Sequence, residues 1–174
     1  MFNTVIFLIV SLIIVWISWP SLRKPRSHGF PRFFAFESIL ALVLLNLKNW
    51  FRNPFTVNQL ISWVCLLVSL FLVIHALHLL RVMGRPSGDI ETTTRLVVVG
   101  AYRYIRHPLY SSLLFLGWGA FSKHPVWLGA ILVIAATFFL ILPAKVEERE
   151  NLSKFGVEYA AYMKKTKMFV PFLL

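Results

Sequence analysis

Long apolar runs separated by short polar stretches dominate the chain. Five such runs can be delimited, at residues 2–19, 33–47, 57–80, 109–121 and 126–144. A helix that crosses a bilayer needs about 20 apolar residues. The first, third and fifth runs approach or exceed this length, and the second does so if polar side chains at its ends reach the headgroups. The pattern therefore predicts an all-α, polytopic membrane protein with about five transmembrane helices.

The fourth run is too short to cross a bilayer by itself. At a rise of 1.5 Å per residue it covers only about 20 Å, so it must begin beneath the headgroups or continue from a structured polar segment. Only a Ser-Lys-His-Pro turn at 122–125 separates it from the fifth run, and the two runs therefore predict a helical hairpin. Beyond the hairpin, apolar side chains recur at helical spacing between 152 and 163, which predicts C-terminal helices interrupted at Gly156.

The basic residues between the runs predict the orientation. From the first connection to the C-terminal tail, the numbers of Lys and Arg are 4, 2, 5, 1 and 6. Cytoplasmic connections carry the excess of Lys and Arg. The alternation predicts an N-terminus outside and a C-terminus in the cytoplasm, and the expected location is the cytoplasmic membrane of a prokaryote. Two polar segments, 81–108 and 145–174, would then both face the cytoplasm. The first of them begins with a loop at 81–99.

Composition narrows the possible partners. Hydrophobic residues make up 58% of the chain, above the roughly 45–50% of soluble domains. A formal net charge of +11 would indicate nucleic acid in a soluble protein, but here the basic residues lie between apolar runs and indicate contact with anionic membrane lipids. The single cysteine, Cys65, excludes an intrachain disulfide and a cysteine-based metal cluster.

A polar segment, Gly-Ala-Tyr-Arg-Tyr-Ile-Arg-His-Pro-Leu-Tyr-Ser-Ser at 100–112, precedes the fourth run. Pro108 suits the first position of a helix, where its missing N–H costs nothing. The N-terminus of that helix attracts anions, and Arg106 and His107 lie directly before it. The segment predicts an anion site at the membrane surface, with headgroup anchoring as the alternative.

A group of acids follows the fifth run. Glu147, Glu148 and Glu150 are three of only seven acids in the chain. Glu150 has a surface partner available in Lys154 at i,i+4. Adjacent helical residues point about 100° apart, so Glu147 and Glu148 cannot both face solvent on a helix that packs against the bilayer. We therefore predict that at least one of them turns inward, toward Arg106 and His107.

Other polar residues inside the apolar runs leave further possibilities open. His75 and His78 lie at i,i+3 and have the spacing of haem or metal ligands. Because no third ligand lies nearby in the sequence, polar packing is favoured and no metal site is predicted. Glu37 is costly inside a span unless it is paired or faces a cavity, which leaves a role in a substrate tunnel open. Gly117 and Gly119 predict close helix packing.

The two polar stretches together resemble the isoprenylcysteine carboxyl methyltransferases and phospholipid methyltransferases of membranes. The resemblance covers residues 96–174, under half of the chain. Leu152 follows the acid pair one step later than in the family pattern, and Ser112 stands where many members carry glycine. The matching residues are Arg106-His107-Pro108-Leu109-Tyr110, Glu147-Glu148, Phe155-Gly156-Val157-Glu158-Tyr159, Tyr162 and Pro171.

The resemblance implies S-adenosylmethionine in a cytoplasm-facing pocket between the hairpin and the C-terminal helices. A lipophilic acceptor would enter from the bilayer along an N-terminal region, 1–80, while 81–174 would bind the cofactor. The cofactor's carboxylate would meet Arg106 and the helix N-terminus, and its ammonium would meet Glu147 or Glu148. The implied catalytic residues are Arg106, Glu147 and Glu148, and the implied cofactor-binding residues are Gly100, Tyr104, Arg106, His107, Tyr110, Glu147, Glu148 and Tyr159.

Two other functions remain open on the sequence alone. Membrane sterol reductases that use NADPH resemble the Arg-His-Pro stretch, but they carry asparagine where this chain has Leu109, and they are longer. A haem-binding protein without enzymatic activity would use His75 and His78. Neither the acceptor nor the choice among O-, N- and S-methylation follows from the sequence.

Overall fold

The protein is all-helical throughout the residues that the computed structural model describes, which are 2–23, 29–85 and 93–173. Two short 3-10 turns, Leu47–Asn49 and Gly100–Arg103, lie in the connections. The described residues contain no strand, and an isolated parallel bridge joins Ile105 to Lys167. The predicted fold class is confirmed. The helices are α1 (Phe2–Leu22), α2 (Gly29–Asn46), α3 (Val57–Val82), α4 (Pro108–Ser122), α5 (Trp127–Phe155) and α6 (Val157–Lys165).

Four helical segments are long and apolar enough to cross a membrane, which makes the chain an integral membrane protein. They are Asn3–Leu22, Gly29–Asn49, Val57–Val82 and Trp127–Phe155. The fifth apolar helix, α4, has only 15 residues. As its length requires, α4 continues from a polar segment whose side chains Tyr102, Ile105 and His107 are buried. Of the predicted loop 81–99, residues 86–92 lie outside the described part of the chain.

Small residues bring α4 close to its neighbours. A Cβ atom on Gly119 would lie 3.1 Å from the Cβ of Cys65 on α3. On the α5 side, a Cβ on Gly129 would lie 3.1 Å from the ring of Phe121. These distances are shorter than ordinary van der Waals contact, so the predicted close packing at Gly119 is confirmed. α4 is thereby fixed between α3 and α5, with its first turn at the candidate site.

Glu37 has a hydrogen-bond partner within the spans. The Ser11 hydroxyl on α1 donates to Oε2 of Glu37 on α2 over 2.5 Å. The rest of α1 is largely lipid-facing, and Trp16 is 79% exposed. A polar group in the bilayer needs an internal partner, because lipid supplies none. The pair therefore joins the outermost helix to the bundle.

The C-terminal segment folds back beside the polar segment that precedes α4. Gly156, at φ 54°, ends α5 and begins α6, so the predicted interruption is confirmed. After α6, the amides of Arg106 and His107 donate to the carbonyls of Lys167 and Met168 over 2.8 and 3.1 Å. The buried ring of Phe169 then joins a core with Tyr110, Leu140 and Ala144. This pairing holds the residues before α4 against the end of α5.

Candidate functional site

Arg106 joins three elements at the start of α4. Its Nε donates to Oε1 of Glu148 over 2.6 Å, and both side chains are only 10% exposed. Its Nη1 donates to the backbone carbonyls of Met163, over 3.3 Å, and Thr166. Those carbonyls belong to the last turn of α6 and the residue after it. Arg106 therefore ties the segment before α4 to α5 and to the end of α6.

His107 lies between the two adjacent carboxylates of α5. Its Nδ1 is 3.6 Å from Oε2 of Glu147, and its Nε2 is 3.5 Å from Oε1 of Glu148. The other oxygen of Glu147 accepts a hydrogen bond from the Tyr110 hydroxyl on α4. Both acids thus turn inward, which confirms the prediction that at least one does. With His107 protonated, the two cations and two anions of this cluster balance.

The carboxylates favour a protonated His107. Burial by itself lowers the pKa of this imidazole, because a low-dielectric surrounding disfavours charge. The neighbouring carboxylates of Glu147 and Glu148 outweigh burial and raise the pKa of His107 above its ordinary 6.5. The rings of Tyr110 and Phe169 pack against the imidazole and bring no further charge to it.

The raised pKa makes a prediction about stability and pH. A raised folded-state pKa stabilises the fold fully below the ordinary pKa, and the effect is lost as the pH rises through the folded-state value. The native protein should exceed His107→Gln in unfolding free energy by about 1–3 kcal/mol in mild acid. The difference should shrink on going to alkaline pH. Melting temperatures of both proteins across pH measure it, with exposed His78→Gln as the control.

A constant difference between the native protein and His107→Gln across this range would contradict a charged His107. A charged His107 would also be contradicted if the melting temperature of His78→Gln changed with pH as that of His107→Gln does. Loss of any imidazole would then account for both curves.

A cavity of about 120 Å³ opens beside this cluster. Glu147 lines it, whereas Glu148 does not. The end of α3, the residues before α4, α5 and α6 all contribute walls. Polar groups come from Tyr102, Asn151 and Tyr159 as well as from the cluster, and apolar walls come from Leu80, Leu96, Val97, Leu109 and Phe155.

Three tyrosines supply neutral hydroxyl groups next to the cavity. Burial is the first cause that raises their pKa values, and neighbouring tyrosine or glutamate groups add to it. The pKa of Tyr159 rises to about 12, and those of Tyr102 and Tyr162 rise further. The Tyr162 hydroxyl donates to the carbonyl of Tyr102 over 2.6 Å. All three therefore remain protonated near neutral pH.

Besides Glu148, two of the candidate residues lie away from the cavity lining. Gly100, at φ 58°, packs against α3, and a Cβ there would lie 2.4 Å from Nε2 of His75. Tyr104 has a half-exposed side chain and accepts the Lys167 amide through its carbonyl over 3.0 Å. Both residues shape the segment that carries Arg106 and His107. The other candidates, Arg106, His107, Tyr110, Glu147 and Tyr159, line the cavity.

Asn151 and Tyr102 were not among the candidates, although both line the cavity. Asn151 follows Glu147 by four residues, so helical spacing places both on one face of α5. Tyr102 lies within the polar segment before α4 and is buried. Helical spacing from an inward acid was a usable signal for Asn151, but nothing in the sequence distinguishes Tyr102 from exposed Tyr104.

The histidines of α3 make ordinary packing contacts. The ring of His75 stacks on Phe71, with centroids 5.4 Å apart and planes 10° apart. His78 is exposed. Within 2–23, 29–85 and 93–173, no three His, Cys, Asp or Glu side chains are grouped as metal ligands would be. The geometry therefore offers no support for a haem or metal centre at this pair.

The family of the chain follows from its similarity to known proteins. The sequence model of the phospholipid methyltransferase family matches residues 57–157, more than half of the chain. The chain belongs to this family of membrane methyltransferases. The match runs from the start of α3 through the whole of α5. It therefore includes Arg106, His107, Glu147 and Glu148, and the resemblance that the sequence motifs indicated is confirmed.

Three curated relatives of this chain are named methanethiol S-methyltransferases. Methanethiol S-methyltransferase 1 of Bradyrhizobium diazoefficiens is 29% identical over 116 residues, which cover 63% of this chain and 39% of the relative. Methanethiol S-methyltransferase of Crocosphaera subtropica is 31% identical over 118 residues, covering 65% of this chain and 44% of the relative. The chain thus spans about two fifths of the length of these relatives. No solved structure matches significantly.

Proposed function

We propose that the protein transfers a methyl group from S-adenosylmethionine to a lipophilic acceptor at the membrane surface. The observation that carries the proposal is the Glu147 carboxylate, which lines a cavity inside the family-matched region. It belongs to the charge-balanced cluster, and its contacts with His107 and Tyr110 hold it at the cavity wall, where a cationic ligand would need it.

The chemistry of the cavity fits this cofactor. Glu147 would accept hydrogen bonds from the cofactor's ammonium group, since carboxylates form charge-assisted hydrogen bonds with such donors. Asn151 and the neutral hydroxyl of Tyr102 would donate to its oxygen and nitrogen acceptors. His107 and Tyr110 hold the two oxygens of Glu147 from opposite sides, which fixes the carboxylate before a ligand arrives. When bound, the cofactor supplies an electrophilic methyl group on a positively charged sulfur.

Arg106 fits a different role from that of a cofactor ligand. Its Nε and Nη1 donors are taken by Glu148 and by two backbone carbonyls. A guanidinium engaged in this way holds the walls of the cavity in place. We therefore propose that Arg106 and Glu148 position the site, and that Glu147 is the acid that contacts the cofactor.

The apolar walls would serve the transfer step. Leu80, Leu109 and Phe155 contribute apolar side chains to the lining of the cavity. A dry site favours dispersal of the sulfonium charge as the methyl group moves to a nucleophile. Walls of this kind also suit an apolar acceptor that arrives from the bilayer along the N-terminal helices.

A thiol is the acceptor that the relatives favour. Three curated relatives are named methanethiol S-methyltransferases. In such a reaction the thiol sulfur gains the methyl group and loses its proton, and S-adenosylhomocysteine is released. A lipid-borne thiol and a small volatile thiol share this chemistry, so both are candidates for the acceptor of this chain.

The test uses the purified chain in nanodiscs with methyl-labelled S-adenosylmethionine. Parallel reactions receive methanethiol, a membrane lipid extract or no acceptor, and each is assayed for S-adenosylhomocysteine and for labelled product. Acceptor-dependent release of S-adenosylhomocysteine is expected, and the labelled product identifies the acceptor class. A chain that neither binds S-adenosylhomocysteine nor turns over with any acceptor, but binds NADPH, would overturn the proposal in favour of a reductase.

A further inference from the structure

A second cavity lies at the opposite end of α4 from the candidate site. The connection between α2 and α3 meets the turn between α4 and α5 there and encloses about 310 Å³. The 15 residues of α4 separate it from the first cavity by about 22 Å. Three basic side chains line it, Arg52, Lys123 and His124, together with the amide side chains of Asn53, Asn58 and Gln59. Among the described residues that line it, none is acidic.

Lys123 is a buried cation that the surrounding structure holds in place. It is only 4% exposed. Its Nζ donates to Oε1 of Gln59 over 2.9 Å and lies 3.6 Å from the centroid of the Trp63 ring. The amide nitrogen of Gln59 in turn donates to the carbonyl of Asn49 over 2.9 Å. A positive charge is therefore built into the wall of this cavity at a defined position.

The charge of Lys123 has no acidic partner in the nearby sequence. Residues 38–88 and 92–146 contain no Asp or Glu at all. Among the described acids, Glu37 pairs with Ser11 inside the spans, and the others lie in α5 and α6 at the opposite end of the bundle. Burial lowers the pKa of Lys123. An anion bound from outside the protein would compensate this charge.

Exposed aromatic side chains place this cavity at the level of the lipid headgroups. Phe55 is 88% exposed and Trp127 is 89% exposed, and both lie within three residues of a residue that lines the cavity. Aromatic residues concentrate at the boundary between hydrocarbon and water. The most abundant anionic group at this level of the membrane is the phosphodiester of a phospholipid.

We infer that this second cavity binds a phosphate oxyanion, supplied by the headgroup of an anionic phospholipid. Arg52 and Lys123 offer charge to the phosphate oxygens, and the asparagine and glutamine amides offer further donors. The first turn of α3 borders the same space, and its N-cap residue Thr56 makes no side-chain capping bond, so free backbone N–H groups face this end. The site is separate from the proposed methyl transfer and does not depend on it.

The test compares ligands that differ in the phosphate. The intact chain in a non-ionic detergent is titrated with dioctanoylphosphatidylglycerol, with dioctanoylglycerol of the same chain length, and with inorganic phosphate. Calorimetry is expected to show binding of the phosphatidylglycerol and not of the dioctanoylglycerol. Equal binding of both lipids would overturn the inference, because the acyl chains alone would explain it. Binding of inorganic phosphate without the lipid would overturn the headgroup as the source.

Matched variants locate the site. Arg52→Gln removes a lining charge from an exposed side chain, and its affinity for phosphatidylglycerol should fall about tenfold, the loss of one charge-assisted contact. Arg81→Gln removes an exposed charge from the other end of α3 and should bind as the native chain does. An equal loss in both variants would show nonspecific attraction to a basic protein and would overturn the inference.

Discussion

Arg106→Ala is expected to reduce the free energy of unfolding by about 3–5 kcal/mol, the usual cost of removing one member of a buried ion pair. The substitution leaves the Glu148 carboxylate, which is only 10% exposed, without its guanidinium. It also removes the donor that the carbonyls of Met163 and Thr166 share. The end of α6 and the segment before α4 would then lose their common attachment.

Thermal denaturation of the detergent-solubilised chain, followed by intrinsic fluorescence, measures this effect. Arg106→Lys should be less damaging than Arg106→Ala, because a lysine keeps the charge but cannot bridge a carboxylate and two carbonyls with a planar group. Arg149→Ala is the matched control, since Arg149 is exposed and adjacent to Glu148. Surface substitutions of this kind change stability by about 0.5 kcal/mol or less. If Arg106→Ala is as stable as Arg149→Ala, the contacts of Arg106 do not hold the fold together.

The helices could be predicted from the sequence because their cause is local. A run of apolar residues must satisfy its backbone internally in a bilayer, so the runs at 57–80 and 126–144 correspond to α3 and the membrane part of α5. Gly156 could be predicted as an interruption because glycine tolerates the positive φ found there. The proximity of Arg106 to the acid pair could be predicted because acidic side chains are rare in this chain.

The contacts of each side chain in the candidate site could not be predicted, because they depend on residues distant in sequence. The C-terminal segment pairs with residues some 60 positions earlier, as in the bond from the Arg106 amide to the carbonyl of Lys167. The same segment supplies the carbonyl of Thr166 to the guanidinium of Arg106, and Tyr102 is buried while Tyr104 remains half exposed. Lys123 shows the same limit. In the sequence Lys123 is a single charge in a short turn, and nothing there indicates that its side chain is buried against Trp63.

Glu147→Gln is expected to weaken binding of S-adenosylhomocysteine about ten- to hundredfold while the protein stays folded. This ligand retains the ammonium and carboxylate of the cofactor, so its affinity reports the contact proposed for Glu147. Loss of a charge-assisted hydrogen bond costs about 1.5–3 kcal/mol, which gives that range of affinity. The glutamine side chain keeps the shape and can still accept from the Tyr110 hydroxyl, so packing between α4 and α5 should survive.

Glu148→Gln should behave in the opposite way, because Glu148 pairs with Arg106 and does not line the cavity. We expect it to lower the melting temperature and to change the affinity less than Glu147→Gln does. Exposed Glu150→Gln is the control for removing a negative charge from the same helix, and it should change neither property greatly. Calorimetric titration and thermal denaturation of all three variants give the comparison. If Glu147→Gln binds as tightly as Glu150→Gln, Glu147 does not hold the ammonium, and the cofactor must be held by the tyrosines and Asn151 instead.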